Sequence, residues 1–250
     1  MYFAYDHKKI YYEKTGIGPP IILLHGWGSN VQVFEYLAKG IDSQYTVYRM
    51  DLPGFGKSEE PPYAYHLDDY VLFLRTFIEQ LEILSPILLG HSFGGRISIR
   101  YTSRYKDVKQ LILVDSAGIK PKGHFKTKLK IYKYKFKKKW YKLTKNVSAY
   151  QRLVTHSGSS DYQHATPILK QTLSYVVNEF LEQDLKQIDV DTLLIWGKED
   201  QTTPYEEGVK MHHLIPHSGL VTIQKAGHFP FVDEPYAFYK ILYAYLGVNT

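Results

Sequence analysis

The chain has no cysteine among its 250 residues. Disulfide bonds, thiolate nucleophiles and thiolate metal ligands are therefore excluded. Hydrophobic residues make up 44% of the sequence and charged residues 22%, a balance that is typical of a globular protein. A chain of this length is sufficient for one α/β domain with a large buried core.

Long apolar runs are also missing. No stretch approaches the roughly 18 apolar residues that a membrane-spanning helix requires. The first nine residues, MYFAYDHKK, carry charge early and lack the apolar centre of a secretion signal, so we expect a cytoplasmic protein.

Acidic residues are absent from positions 120–145, where twelve lysines occur. The net charge of the whole chain is +6, yet the residues outside this segment comprise 19 basic and 25 acidic side chains. The positive charge therefore belongs to one segment. Because a nucleic-acid-binding protein usually spreads such charge over the binding face of its fold, we predict no nucleic-acid partner.

Strand patterns alternate with helix patterns along most of the chain. Short apolar or alternating runs predict strands at 2–5, 10–13, 20–24, 46–50, 86–89, 109–114, 190–196 and 220–224. Helical periodicity follows many of them, at 31–41, 67–81, 94–105, 206–214 and 236–246. This order predicts an α/β fold with a mostly parallel central sheet flanked by helices. A helical, basic insertion at 118–189 interrupts the alternation and divides the predicted core into 1–117 and 190–250.

A serine motif stands at the junction of the predicted strand 86–89 and the helix that follows it. The residues Gly90-His91-Ser92-Phe93-Gly94 fit G-x-S-x-G, the pattern of a nucleophile elbow. The elbow is a tight strand-to-helix turn that exposes the serine hydroxyl above the edge of the sheet. Small residues at Gly90 and Gly94 suit it, because a side chain there would meet neighbouring backbone.

An acid and a histidine follow two later strands. Asp200 stands just after strand 190–196, and His228 just after strand 220–224. Because doubly wound sheets bind ligands at the carboxyl ends of their strands, Ser92, Asp200 and His228 are expected at one edge. The order Ser, Asp, His along the chain is one of the known orders of a catalytic triad.

Five motifs together resemble the α/β-hydrolase fold enzymes over nearly the whole chain. They are His25-Gly26-Trp27, Asp51-x-Pro53-Gly54-x-Gly56-x-Ser58, Gly90-x-Ser92-x-Gly94, Gly197-x-x-Asp200 and Gly227-His228. The resemblance implies that Ser92 is the nucleophile, His228 the base and Asp200 its partner. It also implies that the insertion at 118–189 is a helical lid after the sixth strand.

A tetrahedral oxyanion requires two preorganised donors. We assign them to the backbone N–H of Phe93, directly after the nucleophile, and to that of Trp27, after the third strand. The indole of Trp27 is then expected to line the pocket.

Other polar residues at strand ends favour structural roles. Asp115 also ends a strand, and we predict that it caps a loop. We predict that His25 bonds to backbone and that Asp51 holds the Pro53-Gly54 turn. The histidines at 212, 213 and 217 lack a completing carboxylate motif and favour a solvated helix end, so we predict neither a metal site nor a cofactor.

The basic insertion predicts one amphipathic helix. Its apolar positions fall on a single stripe, formed by Phe125, Leu129, Tyr132, Phe136, Trp140 and Leu143. We favour a lid helix whose stripe covers the site, so that Phe136 and Trp140 join Trp27 and Phe229 as pocket candidates. The alternative is that the lysines attract the helix to an anionic membrane or an acidic lipid.

The sequence thus predicts a serine hydrolase that cleaves a small, fairly apolar carboxylic ester. Two alternatives stay open at this stage. The same triad could hydrolyse a lactone, thioester, amide or carbon–carbon bond, or transfer an acyl group. A protein of another class, a ligand sensor, could keep the triad but turn over slowly.

Overall fold

The structure, a computed structural model, describes residues 1–120, 140 and 165–248. Within those residues the strands are β1 (Tyr2–Tyr5), β2 (Lys8–Thr15), β3 (Pro20–Leu24), β4 (Thr46–Met50), β5 (Ile87–His91), β6 (Gln110–Val114), β7 (Thr192–Gly197) and β8 (Ser218–Ile223). The helices are α1 (Glu35–Ile41), α2 (Leu67–Gln80), α3 (Phe93–Tyr105), α4 (Pro167–Val176), α5 (Glu182–Leu185), α6 (Tyr205–Leu214), α7 (Pro230–Asp233) and α8 (Pro235–Leu246). A 3₁₀ turn at Val31–Phe34 precedes α1.

The described strands form one sheet in the order β1-β2-β4-β3-β5-β6-β7-β8. All pairings from β4 to β8 are parallel, whereas β2 pairs antiparallel with both β1 and β4. Helices cover both faces. The prediction of a mostly parallel central sheet flanked by helices is confirmed.

The second strand is longer than its sequence pattern predicts. Strand β2 runs over Lys8–Thr15 rather than 10–13, because Lys8 and Lys9 pair with β1 and Tyr12–Thr15 pair with Val47–Met50 of β4. The hairpin turn is correspondingly shorter and contains only Asp6 and His7. Both have positive φ, 50° and 58°, as a two-residue type I′ turn requires.

Alternation along each parallel strand builds two cores, one on each side of the sheet. In β3, Ile22 and Leu24 pack on the side of α2 and α3. Ile21 and Leu23 pack on the other side, with α1 and α8. Because both faces are covered, these strands are apolar throughout rather than alternating with polar residues.

The described end of the predicted insertion packs on the core. The side chain of Thr166 caps α4 by accepting the N–H of Leu169 at 3.2 Å. Thr172, also on α4, accepts the N–H of Tyr65 at 2.9 Å. The N–H of Leu181 donates to the carbonyl of Gly118 at 2.9 Å, which joins the two ends of the insertion.

Most of the basic stripe lies outside the described residues. This includes Phe136, whereas Trp140 is described as helical with 55% of its surface exposed. In the described part of the chain, no helix combines the length and the apolar character needed to cross a bilayer.

Helix α3 approaches β3 so closely that only glycine fits at Gly94. A Cβ there would lie 2.1 Å from the carbonyl oxygen of Leu24, and backbone cannot move aside as a flexible side chain can. We therefore expect Gly94→Ala to lower the free energy of unfolding by about 3 kcal/mol, the upper range for overpacking, measured by urea unfolding.

Gly219 in β8 is the matched control, since a Cβ there meets nothing within 4 Å. The variant Gly219→Ala is expected to stay within about 0.5 kcal/mol of the parent. Equal losses in the two variants would contradict the close approach of α3 to β3.

Candidate active site

Ser92 occupies the sharp turn between β5 and α3. Its backbone angles, φ 52° and ψ −109°, are strained for a residue with a side chain. The N–H of Ser92 donates to the carbonyl of Val114 at 3.1 Å, and its own carbonyl accepts from Gly95 and Ala117. A Cβ on Gly90 would lie 2.5 Å from the carbonyl oxygen of Gly94. Close backbone contact thus explains why the motif requires a residue without a side chain at this position.

The fold brings the three predicted triad residues together. The Oγ of Ser92 lies 3.0 Å from Nε2 of His228, and Nδ1 of His228 lies 2.7 Å from Oδ2 of Asp200. The side chain of Asp200 is fully buried and that of His228 is 15% exposed. The serine hydroxyl therefore lies at the surface end of a hydrogen-bonded chain that leads to a buried carboxylate.

Four donors surround the carboxylate of Asp200. Its Oδ1 accepts the N–H groups of Thr202 and Thr203, at 2.7 and 3.1 Å. Its Oδ2 is 2.6 Å from the hydroxyl of Thr203, in addition to His228. Burial alone would raise the pKa of Asp200, but the bonds from His228 and Thr203 outweigh it and lower that pKa. Asp200 is thus held as an anion beside His228.

Asp115 lies behind this group, at the end of β6. Its Oδ1 accepts the N–H of Gly197, the last residue of β7, at 2.9 Å. This bond joins the ends of β6 and β7, and the role of Asp115 as a loop cap stays a prediction. The imidazole of His228 contacts Asp200 and not Asp115, so Asp200 is the acid that the geometry pairs with His228.

Sequence reasoning missed two contributors. The ring of His91, at a position treated as variable, is buried, and its Nε2 bonds the backbone carbonyl of His228 at 2.7 Å. The hydroxyl of Thr203 reaches both Asp200 and the carbonyl of Asp115, at 2.6 and 3.0 Å. For His91, the only available signal is a polar residue at the end of a buried strand, directly before Ser92.

The two predicted oxyanion donors belong to adjoining segments. Phe93 is the first residue of α3, and helix geometry gives its N–H no partner within the helix. The loop that bears Trp27 is tied to the elbow, because the N–H of Gly94 donates to the carbonyl of His25 at 3.1 Å. The indole of Trp27 is partly buried, with ring centres 4.8 Å from Phe55 and 5.3 Å from Phe93.

Comparison with known proteins fits this arrangement. Residues 19–235 match the model of a family described as alpha/beta hydrolase fold. The chain belongs to the α/β hydrolase family. The expectation drawn from the five sequence motifs is confirmed at the level of the family.

Individual relatives of this α/β hydrolase cover most of its length. It is 28% identical to the AB hydrolase superfamily protein YisY of Bacillus subtilis (strain 168), with 92% of both chains aligned. It is 29% identical to Lipase 1 of Psychrobacter immobilis, over 92% of this chain and 78% of that protein. Among solved structures, an esterase (EaEST) from Exiguobacterium antarcticum matches with a TM-score of 0.75 at 28% identity, covering 97% of both chains.

Two further polar residues of the α/β hydrolase hold the loops around the site. The ring of His25 is fully buried between the carbonyl of Gly26 at 2.7 Å and the N–H of Leu52 at 3.0 Å, which confirms its predicted backbone bonds. Asp51 accepts the N–H of Lys57 beyond the Pro53-Gly54 turn, at 2.7 Å, as well as that of Val31 at 2.7 Å. Asp51 thus anchors two loops rather than one.

The predicted pocket residues are only partly placed. Phe229 is 40% exposed and lies beside His228, with 5.3 Å between the two ring centres. Phe136 is outside the described residues, and Trp140 is largely exposed. Across the described residues, no group of three or more His, Asp or Glu side chains could hold a metal ion.

Burial of His25 makes the stability of the α/β hydrolase depend on pH. Burial lowers the pKa of His25 from 6.5 to about 4. Between these values the unfolded chain binds a proton that the folded chain excludes, so this residue's contribution to stability falls as the pH falls from about 6.5 to 4. In His25→Gln, the slope of unfolding free energy against pH should drop by about 1.4 kcal/mol per pH unit, measured by urea unfolding. An unchanged slope would mean that His25 is charged in the folded state.

Proposed function

We propose that this α/β hydrolase is a serine esterase that cleaves a carboxylic ester through an acyl-enzyme intermediate. The observation that carries this proposal is the unbroken hydrogen-bonded chain from the Ser92 hydroxyl through His228 to Asp200. In this proposal Ser92 is the nucleophile, His228 the general base and acid, and Asp200 the group that orients it.

The roles follow from what each group can do at its position. A serine hydroxyl is a weak nucleophile until a base removes its proton, and histidine exchanges protons near neutral pH. As the Oγ of Ser92 attacks the ester carbonyl, its proton passes to Nε2 of His228, which then gives it to the leaving alcohol oxygen. A water molecule, deprotonated by the same nitrogen, then attacks the acyl carbon. The bond to Oγ of Ser92 breaks, the acid leaves, and the proton passes from Nε2 back to Oγ. Throughout, Asp200 fixes the imidazole tautomer and stabilises the imidazolium.

The backbone N–H groups of Phe93 and Trp27 are proposed to bind the oxyanion of each tetrahedral intermediate. Three observations support this assignment. Phe93 begins a helix whose N-terminal amides favour negative charge. Trp27 lies on a loop bonded to that helix through Gly94 and His25. A Cβ on Gly26 would lie only 3.3 Å from the Cβ of Ser92, which brings the Trp27 loop next to the nucleophile.

Aromatic side chains near the nucleophile favour an apolar ester as substrate. Trp27 and Phe229 are proposed to line the pocket, with Phe136 and Trp140 added from the insertion. The names of the relatives support ester chemistry, since they include a lipase and an esterase. The mechanism requires no cofactor. Lactone, thioester, amide or carbon–carbon bond hydrolysis and acyl transfer remain alternatives that use the same three residues.

The insertion at 118–189 is proposed to act as a lid, while 1–117 and 190–250 form the catalytic core. Its described end supports this role. Leu169 of α4 packs on Gly54: a Cβ on Gly54 would lie 2.7 Å from a methyl group of Leu169. Phe55, which follows Gly54 in the chain, contacts the indole of Trp27. A cytoplasmic location and weak contact of the lysine-rich part with an anionic membrane stay predictions.

Removing the nucleophile provides the direct test. Ser92→Ala is expected to fold like the parent and to lose ester turnover by on the order of 10⁴-fold or more, because no acyl-enzyme can form. The measurement is hydrolysis of short p-nitrophenyl esters. A fluorophosphonate probe should label the parent at Ser92, identified by peptide mass spectrometry.

The same assays separate the enzyme from the sensor alternative. Near-zero turnover by the parent, together with a ligand-induced rise in melting temperature, would favour a slow-turnover ligand sensor. Labelling of another serine, or full activity in Ser92→Ala, would disprove the assignment of the nucleophile.

Replacing the triad acid by its amide tests the third role. Asp200→Asn is expected to lower kcat by roughly 10²- to 10⁴-fold, since the amide supports the wrong imidazole tautomer. The matched control is Asp189→Asn, because Asp189 is an exposed carboxylate paired with Lys106 at the surface. It should leave kcat unchanged. Equal kcat values for the Asp200 variant and the parent would remove Asp200 from the mechanism.

A further inference from the structure

The carboxyl of Asp115 is the least satisfied acidic group near the site. Its residue is completely buried. One oxygen, Oδ1, accepts the N–H of Gly197 at 2.9 Å. The other, Oδ2, is buried and has no hydrogen-bond partner among the described residues. A buried carboxylate oxygen without a donor is costly, and such a group usually takes up a proton instead.

A second buried acid, Asp200, adjoins Asp115. The hydroxyl of Thr203 lies 2.6 Å from Oδ2 of Asp200 and 3.0 Å from the backbone carbonyl oxygen of Asp115. Two buried carboxyls that are close neighbours do not both stay ionised. Their surroundings decide which one holds the proton. Asp200 receives two backbone N–H groups, the hydroxyl of Thr203 and the ring of His228. Among the described residues, the carboxyl of Asp115 receives only the N–H of Gly197, so the negative charge belongs on Asp200.

The charges around Asp115 also favour its protonated form. The carboxylates of Asp200 and Asp233 repel a negative charge on Asp115, whereas the ring of His228 contacts Asp200 instead. Burial first, and then these carboxylates, raise the pKa of Asp115 to about 9 against the bond from Gly197. These effects all favour the protonated carboxylic acid, which has one proton to donate.

We propose that Asp115 is a positioning residue whose neutral carboxyl donates a hydrogen bond from Oδ2 to the carboxylate of Asp200 while its Oδ1 accepts from Gly197. This bond satisfies the orphaned oxygen and gives Asp200 a further donor. It also adds a link between the segment 197–203 and the end of β6, where Gly197 and Thr203 already bond to Asp115. The inference rests on the proposed triad for its effect on catalysis, whereas the state of Asp115 in the folded chain is independent of any substrate.

The first experiment detects the proton through stability. If an acid is neutral in the folded chain and ionised in the unfolded chain, the protein loses stability as the pH rises from the unfolded-state pKa of that acid to its folded-state pKa. Asp115→Asn carries no such proton but keeps both an acceptor and a donor. The ratio of unfolding constants, parent over Asp115→Asn, should therefore rise by about tenfold per pH unit from pH 5 to 8. Urea unfolding of the full chain measures it, and the same ratio for the exposed Asp189→Asn should stay constant.

The second experiment detects the positioning role through kinetics. Asp115→Asn should keep kcat and the pH profile of kcat/KM, because the amide N–H replaces the acid O–H. Asp115→Leu removes the donor, and kcat should fall by roughly tenfold or more with little change in KM. Its acidic limb should move to higher pH, since Asp200 with one donor fewer stabilises the imidazolium of His228 more strongly. Loss of the hydrogen bond from the Gly197 N–H to Asp115, without loss of a donor to Asp200, would leave the acidic limb of the kcat/KM profile where it is.

Each outcome decides the proposal. A pH-independent ratio for Asp115→Asn would show an ionised Asp115 and overturn it, even if the chain hydrolysed no ester. Equal damage in Asp115→Asn and Asp115→Leu, or an unmoved acidic limb in Asp115→Leu, would overturn the positioning role. If Asp115→Leu fails to fold, the stability ratio for Asp115→Asn still decides whether Asp115 carries the proton that the proposed bond requires. The role of Asp115 and the triad assignment are tested separately, because Asp200→Asn is expected to lose activity whereas Asp115→Asn is expected to keep its kcat.

Discussion

Parallel hydrogen bonding of β5 between β3 and β6 fixes the position of Ser92. The register continues past the end of the strand, where the N–H of Ser92 donates to the carbonyl of Val114. Because parallel neighbours end at the same edge, the loops after β3, β6, β7 and β8 converge around that turn. The strained backbone of Ser92 persists because the sheet on one side and the close approach of α3 to β3 on the other leave it no other path.

Distribution of hydrogen-bond donors, rather than proximity alone, distinguishes the carboxyls at this edge. Asp200 and Asp115 are both buried and stand near one another, yet they are assigned opposite charge states. Asp200 is surrounded by the donors of the turn at 202–203, and it faces His228. In the part of the chain that the structure describes, the carboxyl of Asp115 has only the backbone N–H of Gly197 as a donor. A sheet edge can thus hold two acids of the same type with different chemistry.

Much of the fold and of the candidate site could be predicted from local patterns. Apolar runs located the strands that end before Ser92, Asp200 and His228, and their alternation with helices predicted a parallel sheet. The G-x-S-x-G spacing predicted the turn at Ser92 because each small residue there meets a local constraint. Element ends were less predictable. Strand β2 extends over Lys8–Thr15 because its partner β4 has free edge groups to pair with, and no pattern in β2 itself encodes that partner.

Sequence alone determined which residues are available for chemistry and which strand each of them follows. Both are determined by local patterns, which depend on contacts between near neighbours in the chain. Only the tertiary structure decided which hydrogen bonds those residues receive and how deeply they are buried. The bond from His91 to the carbonyl of His228 joins residues 137 positions apart, and that from Gly197 to Asp115 spans 82. Burial and donor count around a charged group are sums over such distant segments. For that reason the charge states of Asp115 and Asp200 follow from the packed fold and not from the sequence pattern.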